Sequence, residues 1–330
     1  MNVFPPVGRR ISVRWASSSF KVEINATTTL AGLVDKIFDK WGKLIRIDFR
    51  LHNGETEAEI NTDGDLTTFF KTTCPTIVVE SLCKGFSKLE KEEVFSWASI
   101  NKIIEDDSRF EDIHIDIENE ITSKVVEHAL EDLFYKNEFY GPITSCLESS
   151  VREYISSVLL ACARITGNVK LVAELDIAGR KGNGPLDYAI LYQNFFLLIT
   201  EAKKDQLENG IIQNIAQLVA SREQFLYENS SLKRNYMSMA GDIACIPSTG
   251  VVSTGKEWVL IRYVLLPKPA VFKSSPMSLP LVNVKGSLPE LRQYLLRLLS
   301  KLLGAIDLQK KLVDERTLAK AQKREEEQKA

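Results

Sequence analysis

Apolar and polar side chains alternate with period two over residues 20–27 (FKVEINAT), and this predicts a strand, because successive side chains of an extended chain face opposite sides. From Leu30 the period changes. Leu30, Leu33, Val34, Ile37, Phe38 and Trp41 recur at helical spacing, with Thr28 or Thr29 able to cap the helix. Strand-like stretches at 45–51 and 58–60 flank the turn signal His52-Asn53-Gly54. Asp63-Gly64-Asp65-Leu66 opens a short helix, and residues 76–82 (TIVVESL) read as a closing strand. Residues 86–139 read as mainly helical. Within 118–140, Ile121, Val125, Val126, Ala129, Leu130, Leu133 and Phe134 share one face of a helix that Gly141-Pro142 stops.

The second half repeats the change of period several times. Leu147, Val151, Ile155, Val158, Leu159 and Cys162 define a buried helix face, followed by a strand over 169–177, a loop over 178–185 and a strand over 186–192. After a break at Gln193-Asn194, residues 195–199 are apolar on both faces, as befits an inner strand covered on each side. A helix is predicted over 210–225, and a strand pair over 249–263 turns at Thr254-Gly255. Leu291, Leu295, Leu298, Leu299 and Leu302 form a last stripe after Pro289, and the Lys/Glu-rich residues 309–330 read as a solvated helix or a disordered tail.

With 44% hydrophobic and 26% charged residues, the 330-residue chain has the composition of a folded protein of two or three domains. The net charge of −2 hides a division. Residues 86–139 carry a balance of −9, residues 140–330 one of +6, and residues 1–85 one of +1. A polyanionic partner is expected to dock on the C-terminal part, with salt-sensitive affinity; a solvated surface is the plainer reading. The five cysteines have no CxxC or zinc spacing and their odd number makes no disulfide framework, so reduced thiols and an intracellular environment are expected. No apolar run approaches the roughly 20 residues that span a bilayer, and residues 1–20 lack the apolar core of a signal peptide.

The chemistry concentrates where the apolar inner strand ends. Thr200-Glu201-Ala202-Lys203-Lys204 passes from buried strand to ionised side chains within two residues, and Glu201 and Lys203 point to one face. Asp187 lies 14 residues before Glu201, on the neighbouring predicted strand. Two carboxylates meeting at adjacent strand ends make an oxygen-rich site suited to Mg²⁺ (or Mn²⁺), with Lys203 placed to orient a water or offset developing charge. Register is the test. A two-residue turn at Gln193-Asn194 alone would pair Asp187 with Thr200, so an odd loop or a bulge is predicted. Glu148 falls on the apolar helix face seven residues before Ile155, whereas Glu153 projects away; Glu148 is read either as a site carboxylate or as a first-turn acid favoured by the helix dipole. Gln213 and Gln217, one turn apart, can point back at the site, though at least one is expected on the surface.

Residues 1–85, as strand, helix, strands, short helix and strand, resemble a ubiquitin-like β-grasp domain. Pro185-Leu186-Asp187 with Glu201-Ala202-Lys203 resembles a PD-(D/E)XK site whose Pro is displaced by one residue. The wider string, Glu174, then residues 179–188 (GRKGNGPLDY), 200–204 (TEAKK) and 210–218 (GIIQNIAQL), resembles the nuclease domain of Crinkler-type effectors, fungal and oomycete proteins in which a ubiquitin-like domain precedes a restriction-endonuclease-like domain. The match covers about residues 146–263; residues 1–85 lack the LFLAK-like start of the oomycete members.

The resemblance implies an α+β and α/β architecture: a ubiquitin-like domain over 1–85, an acidic helical connector over 86–140, a restriction-endonuclease-like α/β/α domain over 141–305 and a charged tail over 306–330. It implies Asp187 and Glu201 as metal ligands, Lys203 as catalytic lysine, Glu148 as the helix carboxylate and Gln213 as a supporting group. It further implies DNA as substrate with RNA left open, a protein partner for the ubiquitin-like domain, no membrane, and the nucleus of a host cell after secretion as destination. The rival expectations are a binding module of the same fold without catalysis, and a β-grasp adaptor whose second half is scaffold.

Overall fold

The computed structural model describes residues 9–15, 18–24, 28–40, 49–53, 56–70, 76–81, 83–228, 246–265, 267–281 and 288–329. The chain divides into two compact units, Met1–Lys84 with Ala178–Gly182 and Gly85–Ile177 with Asn183–Ala330, and its architecture is mixed α+β. Among the described residues no helix is long and apolar enough to cross a membrane.

In the first unit, β1 (Arg9–Trp15) and β2 (Ser18–Ile24) form a hairpin, followed by α1 (Leu30–Lys40), β3 (Phe49–Asn53), α2 (Asp63–Phe70) and β4 (Thr76–Ser81). The sheet order is β2-β1-β4-β3, with β1 parallel to β4 and the other pairs antiparallel. Val13, Leu33, Ile37, Leu51, Leu66, Ile77 and Val79 make its core. β1 is an addition to the expected elements, although Ile11, Val13 and Trp15 alternate with Ser12 and Arg14 in the same period as the side chains of β2. Its expected turn at 52–54 also moves: His52 and Asn53 complete β3, and the chain reverses where Glu57 N–H donates to the Asn53 carbonyl at 3.0 Å, with Glu57 at φ 57°. Trp41, residues 45–48 and Gly54 lie outside the described residues.

The second unit follows β5 (Lys84–Gly85). It comprises α3 (Lys91–Ala98), β6 (Ile103–Glu105), α4 (Glu120–Tyr140), α5 (Glu148–Thr166), β7 (Lys170–Ala178), β8 (Gly182–Tyr192) and β9 (Phe195–Ala202). Then come α6 (Leu207–Glu228), β10 (Ser248–Ser253), β11 (Glu257–Val264), β12 (Ala270–Lys273), β13 (Met277–Ser278) and α7 (Leu288–Lys329). Its mixed sheet runs β8-β9-β10-β11-β12-β6, with β9 parallel to β10 and β12 parallel to β6. Helices cover both faces. On one, Val126 and Leu133 of α4, Ile155 and Leu159 of α5 and Leu298 of α7 pack on Tyr188, Leu198 and Leu260; on the other, Trp97 of α3 and Ile215 and Leu218 of α6 pack on Ile199, Val252 and Ile261. This double cover is why β9 is apolar on both sides.

Three expected boundaries differ. Residues 86–140 are not a separate connector, because β6 pairs with the sheet edge and α4 buries Val125, Val126 and Leu130 in the same core as α5. The expected tail over 306–330 does not begin as one: α7 continues to Lys329, and Ile306, Gln309 and Val313 are buried. The loop expected over 178–185 shrinks, since β7 runs to Ala178 and β8 starts at Gly182. Ile121, assigned to the buried face of α4, is exposed in that helix's first turn.

Candidate active site

The β8–β9 hairpin sets the site. Gln193 and Asn194 both take positive φ, 49° and 67°, as a two-residue hairpin turn of this hand requires. The ladder starts with Tyr192 opposite Phe195 and Leu191 opposite Phe196, then shifts so that Ile190 faces Leu198, leaving Leu197 as the extra residue of a bulge. Leu197 and Leu198 consequently pack into the same core layer. Beyond the bulge Tyr188 faces Thr200, and one further step at that register sets Asp187 against Glu201. Of the odd loop and the bulge, the chain uses the bulge.

Both carboxylates are buried and each is held at two points. Asp187 Oδ2 accepts from the Ala202 N–H at 2.7 Å, and Oδ1 pairs with Arg152 Nη2 of α5 at 2.5 Å. Glu201, 2% exposed, pairs through Oε1 with Lys203 Nζ at 2.7 Å and accepts through Oε2 from Gln217 Nε2 at 2.6 Å. Asn214 Nδ2 orients that glutamine by donating to Gln217 Oε1 at 3.3 Å while also donating to the Ile199 carbonyl at 3.2 Å. Two glycines permit these approaches. A Cβ on Gly250 would lie 2.0 Å from Asn214 Oδ1, and one on Gly210 would lie 2.9 Å from Lys203 Cγ and 2.6 Å from Val252 Cγ1. Both positions lack room for any side chain.

Burial raises the Glu201 pKa to about 7, and the Asp187 charge adds to the rise; Lys203 and the Gln217 hydrogen bond oppose it. Burial likewise raises Asp187, with the Ala202 N–H, Arg152 and Lys203 opposing and Glu148 reinforcing. Two desolvated carboxylates side by side are thus held by two cations of the chain itself. An open cleft of about 840 Å³ lies alongside, walled in part by Glu148, Lys203, Lys204, Asp205 and Gln213. Its wall carries five carboxylates against three lysines, so it does not by itself attract a polyanion.

Asp187, Glu201 and Lys203, taken from the sequence as the core of the site, therefore stand together. Glu148 is the first residue of α5 and half-buried in the cleft wall, whereas Glu153 is exposed. Gln213 also lines the cleft, but the glutamine bonded to Glu201 is Gln217, fully buried one turn later. Arg152 escaped the sequence reading. Its spacing of four from Glu148 put it on the same helix face, and that was the available signal. Its Nη1 lies 3.6 Å from Glu174 Oε1, and Tyr188 Oη donates to its carbonyl at 3.0 Å, tying α5 to β8. Glu174 itself has φ 52°, an uncommon left-handed conformation for a strand residue.

Among the described residues no cluster of three or more His, Cys, Asp or Glu side chains has metal-binding geometry. A pair of carboxylates nevertheless fits the chemistry of Mg²⁺, which takes one or two protein carboxylates and completes its shell with water and substrate phosphate. No protein-family model matches the chain, and no curated protein matches it.

Proposed function

We propose that the second unit is a metal-dependent endonuclease of the PD-(D/E)XK type that hydrolyses phosphodiester bonds of DNA. The observation that carries this reading is the junction of Asp187 and Glu201 on neighbouring strands, with Lys203 Nζ 2.7 Å from Glu201 and the cleft beside it. Asp187 and Glu201 would hold a Mg²⁺ or Mn²⁺ ion. When bound, such an ion supplies Lewis acidity toward a phosphoryl oxygen and lowers the pKa of water. The chain does the rest. Lys203 positions a water or offsets charge on the attacked phosphate, Gln217 keeps Glu201 pointed at the strand end, and Arg152 neutralises Asp187 while the metal ion is absent. The net acidity of the cleft wall supports metal dependence, since phosphate then needs a cation to enter.

The mixed sheet order of the first unit supports the ubiquitin-like reading of residues 1–85; a Crinkler-type arrangement, a protein partner for that unit and action in a host nucleus are proposed from the sequence resemblance alone. A second reading, a nucleic-acid- or protein-binding module without catalysis, draws on the 2% exposure of Glu201 and the pairing of both carboxylates, which suit a structural ion-pair network. A plasmid-nicking assay with the full chain in Mg²⁺, with EDTA controls, separates them. The nuclease reading expects nicking that EDTA, Glu201→Ala and Lys203→Ala each abolish; equal nicking by wild type and both variants, or none by any, sinks it. Replacing the plasmid with single-stranded RNA tests the breadth of substrate.

A further inference from the structure

A second charged cavity lies on the same unit, away from the acidic cleft. Val252 of β10 faces both Glu201 and Val259 of β11, and Arg262 stands three residues further along β11, about 10 Å of strand from that level. There, a cavity of about 340 Å³ is walled by Arg109, Arg262, Lys268 and Phe272 together with Pro247 and Pro267, and it has no Asp or Glu in its wall.

Arg262 is 8% exposed. Its Nη1 donates to the Arg109 carbonyl, which ties the turn at 107–109 to the sheet, and its Nε is buried with no partner. Burial lowers its pKa below the ordinary arginine value; among the described residues no carboxylate lies within ion-pair distance of it, and Glu111 is the acidic charge near enough to favour its protonated form. Arg109 brings a second positive charge that disfavours it. Aromatic faces orient both guanidinium groups, with Arg109 4.7 Å over Phe272 and Arg262 5.2 Å over Phe110. The carbonyl contact explains one of the five N–H donors that a guanidinium carries. Arg109 is itself paired through Nε with Asp106 Oδ2 at 3.3 Å; the carbonyl contact leaves unexplained why a buried arginine lines a cavity with this second guanidinium and Lys268, an arrangement that like-charge repulsion and desolvation both disfavour.

We infer that this cavity binds a phosphate-type oxyanion, held by Arg262 from beneath and by Arg109 and Lys268 at the rim. A tetrahedral dianion accepts the forked donors of an arginine and offsets the repulsion between the two guanidinium groups. The phosphate can come as a free ion or as the terminal phosphate of a nucleotide. The inference does not depend on the nuclease reading, because none of its residues belongs to the Asp187–Glu201 site.

Titration calorimetry on the full chain in EDTA tests it, with inorganic phosphate, a 5′-phosphorylated dinucleotide and the same dinucleotide ending in a hydroxyl as probes. Saturable one-site binding of phosphate or of the phosphorylated dinucleotide is expected, weakened at least tenfold by Arg109→Gln combined with Lys268→Gln. These rim substitutions spare the buried arginine and hence the fold, which a circular dichroism melt checks. Binding of both phosphate probes supports a free-ion source, and binding of the phosphorylated dinucleotide alone supports a nucleotide source. Absence of binding, binding that ignores the double substitution, or equal binding of the hydroxyl-ended probe overturns the inference.

Discussion

Arg152 Nη2 sits 2.5 Å from Asp187 Oδ1, on the very carboxylate proposed to hold a metal ion. A guanidinium and a divalent cation would compete for that oxygen. Arg152→Gln is therefore expected to lower the thermal midpoint of the metal-free protein, because it leaves Asp187 buried beside Glu201 without its cation. The loss should be roughly 2 kcal/mol, below the 3–5 of a fully buried pair, since the arginine is 34% exposed. The same variant should gain more stability from added Mg²⁺ than the wild type does, as followed by differential scanning calorimetry. An unchanged response to Mg²⁺ would show that Arg152 does not guard the site.

Glu201 has an ordinary pKa of 4.5 that burial raises to about 7 in the folded protein. Between those values the folded state keeps a proton that the unfolded chain has released, so this group's stabilising contribution is full below pH 4.5 and is lost as pH rises through 7. The raised Asp187 acts with the same sign. In EDTA, Glu201→Gln should stabilise the protein at pH 8 and make little difference at pH 4.5. Chemical denaturation at the two pH values measures this, and a variant less stable than wild type at pH 8 would contradict the burial argument.

Gly210→Ala pushes a methyl group toward Lys203 Cγ and Val252 Cγ1. Overpacking of this kind costs about 1–3 kcal/mol. Because the nearest movable atom belongs to Lys203, the variant should lose nicking activity at least tenfold at a temperature where circular dichroism still reports a folded chain. Activity that merely tracks the folded fraction would assign the glycine to packing alone.

Gln217 and Gln213 make a paired comparison. Gln217→Leu strips Glu201 Oε2 of its donor, which should cost about 1–3 kcal/mol and raise the Glu201 pKa further, whereas Gln213→Ala removes a half-buried cleft residue and should leave the melt within about 0.5 kcal/mol of wild type. Urea denaturation of both variants tests the contrast. Equal destabilisation would remove Gln217 from its special place beside Glu201.

What the chain could announce by itself was local and periodic. The apolar run at Phe195–Ile199 marked an inner strand, Gln193-Asn194 marked a turn, and Asp187, Glu201 and Lys203 stood out because charge at the end of a buried strand needs partners. Even the bulge was foreseeable as a need, since side-chain period two forbids Asp187 and Glu201 from meeting across an unbroken two-residue hairpin. Its position at Leu197 was not, because Leu197, Leu198 and Ile199 are equally apolar and only packing against helices on both faces decides which two share a side. The same holds for the partners. Arg152 and Asn214 read as ordinary helix residues and Gln217 as one of two glutamines able to reach the site; all three became its partners only when α5 and α6 settled against opposite faces of one sheet and brought atoms from 15 to 35 residues away within hydrogen-bonding distance. Local spacing sets which way a side chain leaves its own strand or helix; which group it meets depends on how those elements pack, and that is a property of the whole fold.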